Sequence, residues 1–266
     1  MPTPVIEPRV NYNLLPSKGR KSVCLRVNRD GTVTVRAPKF VSKSYIEQFV
    51  GKRGAWIAEK QKYFEQLLTL YPPKKFENGE SFQFLGRNLR LRLQHVAELK
   101  RPTCKVEAGR LKLFLNGQTG AEFPAKQPGG SAFGGKAAAS GAIRNLYARH
   151  TALRTAAFVR KHSSSLAVKS GRISVVDQKK RWGSCSRKGD IRINWRLAMM
   201  PPAVIEYIIV HELCHLKVHN HSPKFWSIVK SVLPDYETRR AWLRRHGPAV
   251  FLMADWPSDG YCDNAR

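Results

Sequence analysis

The run Val204-Ile205-Glu206-Tyr207-Ile208-Ile209-Val210, entered through Pro201-Pro202 and left through His211-Glu212-Leu213-Cys214-His215, is apolar on nearly every side. A helix of that kind has no broad face to give to water, so it belongs in the middle of a core. Pro202 suits its first turn, where a missing N–H is harmless. The stretch from Val204 to Trp226 also holds four of the eight histidines, and a core helix that ends in imidazoles calls for a chemical reason.

The spacing supplies one. His211 and His215 are four apart, so on a helix both rings face the same way and can share one metal ion. Glu212 lies beside the first of them, placed to act on a water held by the metal as a general base. His221 follows six residues after His215, behind Asn220, a residue that tolerates the left-handed conformation in which a helix ends and the chain turns back. A third neutral ligand there leaves one position open, as catalytic zinc requires. His219 competes for that place, but one further helical turn carries it too far along the axis, and the geometry favours His221. The bland alternative makes these histidines surface or capping residues at a helix end. The agreement of spacing, helix and intervening glutamate weighs against it. Cys214 reads as a small packed side chain rather than a fourth ligand.

Around this helix the pattern is mixed α+β. Lys21 to Phe40 alternates on both sides of Asp30-Gly31, which predicts two strands joined by a turn. Ser42 to Leu70 has helical spacing, with Ser42 or Ser44 as N-cap and Pro72-Pro73 as stop. Strands are predicted again between residues 81–94 and 110–115. Residues 142–168 read as a helix, followed by strands in "GRISVVDQ" and "GDIRINWRL" on either side of "KKRWGSCSRK". Residues 117–141 turn abruptly to Gly, Ala, Ser and Pro, the composition of a flexible linker or insert. The sequence therefore divides into a basic, β-rich α+β module at 1–116, the insert, a catalytic domain at 142–246 and a tail at 247–266.

Charge enters because it is extreme. The formal net charge is +28, with 23 basic and 9 acidic residues in 1–116 and 21 and 6 in 142–246. The excess is spread over both halves, which favours polyanionic partners, although a merely solubilising surface has the same composition. Five widely spaced cysteines are neither a disulfide framework nor a zinc finger and suit a reducing compartment. No stretch approaches about 18 uncharged apolar residues, and the N-terminus has no apolar signal run, so a cytoplasmic protein without membrane association is expected.

Arg181-Trp182-Gly183-Ser184-Cys185-Ser186, Asn194-Trp195-Arg196, His211 to His215, Asn220-His221-Ser222, Phe225-Trp226 and Pro234-Asp235-Tyr236 together closely resemble the signature block of the YgjP-like family of metallopeptidases, relatives of the SprT-like zincins. The segment from Ser22 to Phe40 looks like that family's N-terminal part. The resemblance implies a zincin-like domain with His211, His215 and His221 as ligands of Zn2+ and Glu212 as catalytic acid/base. Cys214 stands where the family usually carries a smaller residue, and the insert at 117–141 looks longer than usual.

Two readings of Arg181 to Ser186 remain open. The segment is an edge against which an extended substrate lies, with Lys180 and Arg181 attracting anionic groups, Gly183 and Ser184 close to the substrate and His219 nearby, or it is a tight hairpin with Trp182 in the core. Phe225, Trp226 and Trp242 read as core. His219, Arg181 and Tyr236 are candidates for a second electrophile. A metallopeptidase acting on peptide or protein is the leading expectation. A nucleotide phosphoanhydride hydrolase clamping phosphates through Lys180 and Arg181 is the second, and a nucleic-acid-associated protease recruited by its basic surface is the third.

Overall fold

The structure, a computed structural model, describes residues 10–17, 22–28, 30–117 and 136–253. It has two compact units, Met1–Pro72 and Pro73–Arg266.

In the first unit, β2 (Cys24–Val27) and β3 (Val33–Pro38) are the predicted antiparallel pair, and β1 (Asn13–Ser17) adds a parallel strand in the order β1-β3-β2. Gly31 takes a φ of +81° at the turn, a conformation that its lack of Cβ permits. The single helix expected over Ser42 to Leu70 is two, α1 (Lys43–Gly51) and α2 (Gly54–Leu70), interrupted where Gly51 and Gly54 weaken helix propensity. Ser42 is the cap of α1, its side chain accepting from the Tyr45 N–H. Val27, Val33, Val35, Ala37, Ile46, Val50 and Ile57 form this unit's core.

The second unit combines a four-stranded sheet, β4 (Ser81–Phe84), β5 (Arg87–Val96), β6 (Thr103–Glu107) and β7 (Arg110–Asn116), in the order β4-β5-β7-β6, with α3 (Lys136–Ser163). A smaller sheet of β8 (Ile173–Val176), β9 (Gly183–Cys185) and β10 (Ile191–Asn194) runs in the order β8-β10-β9. A 3-10 turn over Trp195–Met199 leads into α4 (Pro202–Cys214), followed by α5 (Pro223–Val232) and α6 (Tyr236–Met253). Every residue of α4 from Val204 to Val210 is buried, as its all-round apolar character requires.

The boundary thus falls at Pro72-Pro73 and not in the Gly-rich stretch. Leu91, Leu111 and Leu113 from the first sheet share one core cluster with Ile143 and Tyr147 of α3, Ile191 and Ile193 of β10, and Ile205 and Ile209 of α4. Tyr147 ties the layers together by donating its hydroxyl to the Gln83 carbonyl at 2.6 Å. Residues 136–141 of the expected insert open α3, with Ala139 fully buried; 118–135 lie outside the described residues. Residues 247–253 of the expected tail continue α6, burying Ala249 and Val250, and 254–266 lie outside the described residues.

On α4 one carboxylate faces away from the histidines. Glu206 accepts from Lys161 Nζ at 2.7 Å and Arg239 Nη1 at 2.7 Å, and shares a 2.9 Å hydrogen bond with His162 Nε2, joining α3, α4 and α6. Burial alone would raise its pKa, but these three partners hold it down at about 2. Its folded pKa lies below the unfolded value of 4.5, so its stabilisation is present above that value and is lost as pH falls through about 2. Glu206→Gln should cost about 2–3 kcal/mol at neutral pH, because Arg239 and His162 are left without their anion. Urea unfolding of wild type and variant should differ at pH 7 and converge in strong acid; equal midpoints at pH 7 would mean that the cluster contributes nothing.

Candidate metal centre

The buried helix holds the first two imidazoles in register. His215 N–H donates to the His211 carbonyl at 3.3 Å, and bonds from Leu216 N to Leu213 O and from Val218 N to Cys214 O carry the turn past the helix end. The chain then reverses without a left-handed residue: Asn220 is not among the residues with positive φ. Instead its side-chain oxygen accepts from the Ser222 N–H at 3.3 Å, so the asparagine shapes the turn through its side chain. That reversal swings His221 back over α4, and Pro223 starts α5 directly behind it.

The outcome is three Nε2 atoms in one place. His211 Nε2 lies 3.2 Å from His215 Nε2 and 3.1 Å from His221 Nε2, and the ligating atoms of all three lie within 4.8 Å of one another. Around a tetrahedral ion with about 2.0–2.1 Å bonds to nitrogen, neighbouring donors sit about 3.3 Å apart, so the two distances from His211 match a metal of zinc's size and preference. The protonation chemistry agrees. Burial, reinforced by His215, His221 and Arg240, pushes His211 down to about 3, and burial also lowers His215, so both rings are neutral and able to ligate. His215 Nδ1 donates to the Val218 carbonyl at 3.1 Å, which leaves Nε2 bare for the ion.

Packing orients the rings. Phe225, fully buried, lies 4.9, 4.7 and 4.9 Å from the ring centres of His211, His215 and His221 and forms a common floor. Trp226 stacks on His221 at 5.7 Å and on Tyr236 at 5.5 Å, with the Arg240 guanidinium 4.3 Å above its ring. The His211 Nδ1 is buried without a hydrogen-bond partner among the described residues, and Phe225, Tyr207 and Trp226 pack around that ring.

Glu212 is 5% exposed. Burial, opposed only in part by Arg181, pushes its carboxyl up to about 7. Its neighbour is β9. A Cβ on Gly183 would stand 2.6 Å from Glu212 Oε1 and 2.9 Å from Cδ, so only glycine lets the strand lie against the carboxylate. The hairpin reading of Arg181 to Ser186 therefore describes the backbone, with β9 antiparallel to β10 and Trp182 half-buried against Phe251 at 4.0 Å, while the same hairpin forms one wall beside Glu212. Asn194 braces it, donating from Nδ2 to the carbonyls of Gln178 and Arg181 and from its N–H to the Trp182 carbonyl. Ser184 Oγ accepts from Gln178 Nε2 at 3.2 Å.

Lys180 and Arg181 are exposed on the approach to β9. His219 is exposed and outside the converging trio. The Tyr236 hydroxyl donates to Glu237 at 3.1 Å, on the far side of the Trp226 stack. Cys214 is fully buried, with its thiol pushed up to about 12 by burial, and is no part of the trio. The sequence reading overlooked Tyr207, a buried phenol beside His211 that burial pushes up to about 12, although its position four residues before His211 put it on the same helix face. It also assigned Phe225 and Trp226 to the core alone, whereas they are core and site wall at once.

No curated protein matches the chain. Among solved structures, the metallopeptidase zymogen jannalysin of Methanocaldococcus jannaschii is similar at 22% identity over 34% of this chain and 94% of that one, with a TM-score of 0.32. The zymogen abylysin of Pyrococcus abyssi is similar at 22% identity over 35% and 93%, also with a TM-score of 0.32. The family model for the YgjP-like metallopeptidase domain matches residues 21–246, which takes in both the N-terminal hairpin and the histidine centre. The chain belongs to the YgjP-like metallopeptidase family.

Proposed function

We propose that the chain is a zinc-dependent peptidase in which His211, His215 and His221 hold the metal and Glu212 moves the proton. The carrying observation is the convergence of three imidazoles next to a buried carboxylate. Bound there, zinc would lower the pKa of water and polarise the scissile carbonyl. Glu212 takes the proton of the attacking water on its carboxylate and returns it to the leaving amine. Strand β9, which pairs only with β10 among the described residues, has an open edge to which an extended peptide can add by main-chain hydrogen bonds. Lys180 and Arg181 at its entrance favour substrates with acidic groups.

Zinc-loaded protein incubated with an unfolded polypeptide and with nucleoside triphosphates tests this reading. Cleavage of the polypeptide, abolished by a chelator and restored by zinc, is the expected result. Release of phosphate or pyrophosphate without proteolysis would overturn it and make Lys180 and Arg181 phosphate clamps. Gly183→Ala gives an independent check: the added methyl displaces the Glu212 carboxylate, so turnover should fall about 10²-fold or more while zinc content stays at wild-type level. Unchanged kcat would show that the close approach of β9 does not position Glu212.

A further inference from the structure

We propose that the paired helices α1 and α2 carry a binding surface for single-stranded nucleic acid, distinct from the histidine centre. Tyr45, Phe49, Arg53, Trp56, Lys60 and Tyr63 follow one another at intervals of four, four, three, four and three residues, the spacing that keeps side chains on one face of a helix. The register survives the break, because the Ile57 N–H still donates to the Arg53 carbonyl at 2.9 Å. Aromatic and cationic groups are interleaved along this row. Tyr45 and Phe49 stack at 6.4 Å, the Arg53 guanidinium lies 3.7 Å above the Phe49 ring, and Lys60 Nζ lies 5.6 Å from the Tyr63 ring.

The row faces water. Tyr45 is 54%, Trp56 42% and Tyr63 40% exposed, and large aromatics gathered on an open face mark an interaction site. Residues 39–63 contain six basic and two acidic side chains. The acids are answered locally, Glu47 by Lys43 at 4.0 Å and Glu59 by Lys60 at 3.7 Å, so Lys39, Lys52, Arg53 and Lys62 have no acidic partner among the described residues. Cations that neutralise phosphates and rings on which bases stack are the two components of sequence-tolerant single-strand recognition. A duplex conceals its base faces and uses only the first. An anionic membrane fits less well, because a surface helix inserts a continuous apolar face, and the apolar faces of α1 and α2, through Ile46, Val50 and Ile57, are already buried in their own unit's core.

Binding of the full chain to labelled oligo-dT and oligo-U of about 20 nucleotides, to a duplex of the same length and to phosphatidylserine-rich vesicles, over a range of salt concentrations, tests the assignment. Both single strands should bind more tightly than the duplex, with the logarithm of affinity falling linearly with the logarithm of salt. The tighter of the two identifies DNA or RNA as the natural ligand. Trp56→Ala combined with Tyr63→Ala should weaken binding at least about tenfold without changing the salt slope, whereas Lys52→Ala with Lys62→Ala should flatten the slope. All four side chains are exposed, and circular dichroism should show the fold intact. Equal affinity of wild type and the aromatic variant, duplex binding as tight as single-strand binding, or vesicle binding without oligonucleotide binding would each overturn the proposal. The peptidase reading stands or falls separately, since it is read from polypeptide cleavage and zinc dependence and not from oligonucleotide affinity.

Discussion

Glu212→Gln should abolish turnover by roughly 10²–10⁴-fold while leaving zinc bound. The amide has the volume of the carboxylate, so it keeps the close seat against Gly183, and it removes only the capacity to accept a proton. The same substitution should leave the melting temperature unchanged or raised. The wild-type carboxyl is 5% exposed and pushed up to about 7 by burial, so its ionised form is held at the expense of stability, and an uncharged side chain relieves that penalty. Catalysis and stability therefore move in different directions at this residue, which separates loss of the base from loss of the fold. Cleavage assays, zinc content and thermal melts on one preparation make the comparison. Activity within a few-fold of wild type with zinc in place would remove Glu212 from the chemistry.

The parts of the fold that were legible in the sequence are those in which local pattern and tertiary packing agree. Helix α4 declared itself because a run apolar on every side has only one environment available, and the Asp30-Gly31 hairpin because its turn chemistry is local: Asp30 Oδ1 accepts from the Thr32 N–H at 3.0 Å. The convergence of His211, His215 and His221 followed from helical spacing and a chain reversal, although the reversal uses the Asn220 side chain and not a left-handed backbone. Strands β1 and β9 were hidden for a different reason. Leu14 and Leu15 are both exposed and Pro16 lies within β1, so no alternation marks it, and the three residues of β9 are strand only because β10 pairs with them. The division into units was misplaced because composition reports where the chain is low in large side chains, whereas core membership is set by long-range packing. Leu111 and Tyr147 stand on opposite sides of the Gly-rich stretch and in the same core. The seat of Glu212 against Gly183 could not be read at all, since it joins residues 29 positions apart through their spatial arrangement alone.

His221→Ala should lower zinc affinity by more than about 10²-fold, and His219→Ala should leave it within about threefold. Losing a partner of a ligand already costs 10–100-fold, so losing the ligand itself must cost more. The two histidines are two residues apart and both exposed, so general effects of charge or of the loop act on them alike. Only one has its Nε2 3.1 Å from that of His211 and a ring held between Phe225 and Trp226. Competition with a chromophoric chelator measures both affinities on the same scale. Trp226→Ala extends the comparison without removing a donor: if stacking is what holds the His221 ring ready, affinity should fall about tenfold, between the two histidine variants. Equal losses in His219→Ala and His221→Ala would mean that the third donor is not the one the reversal at Asn220 delivers, and that the loop closes differently when the ion binds.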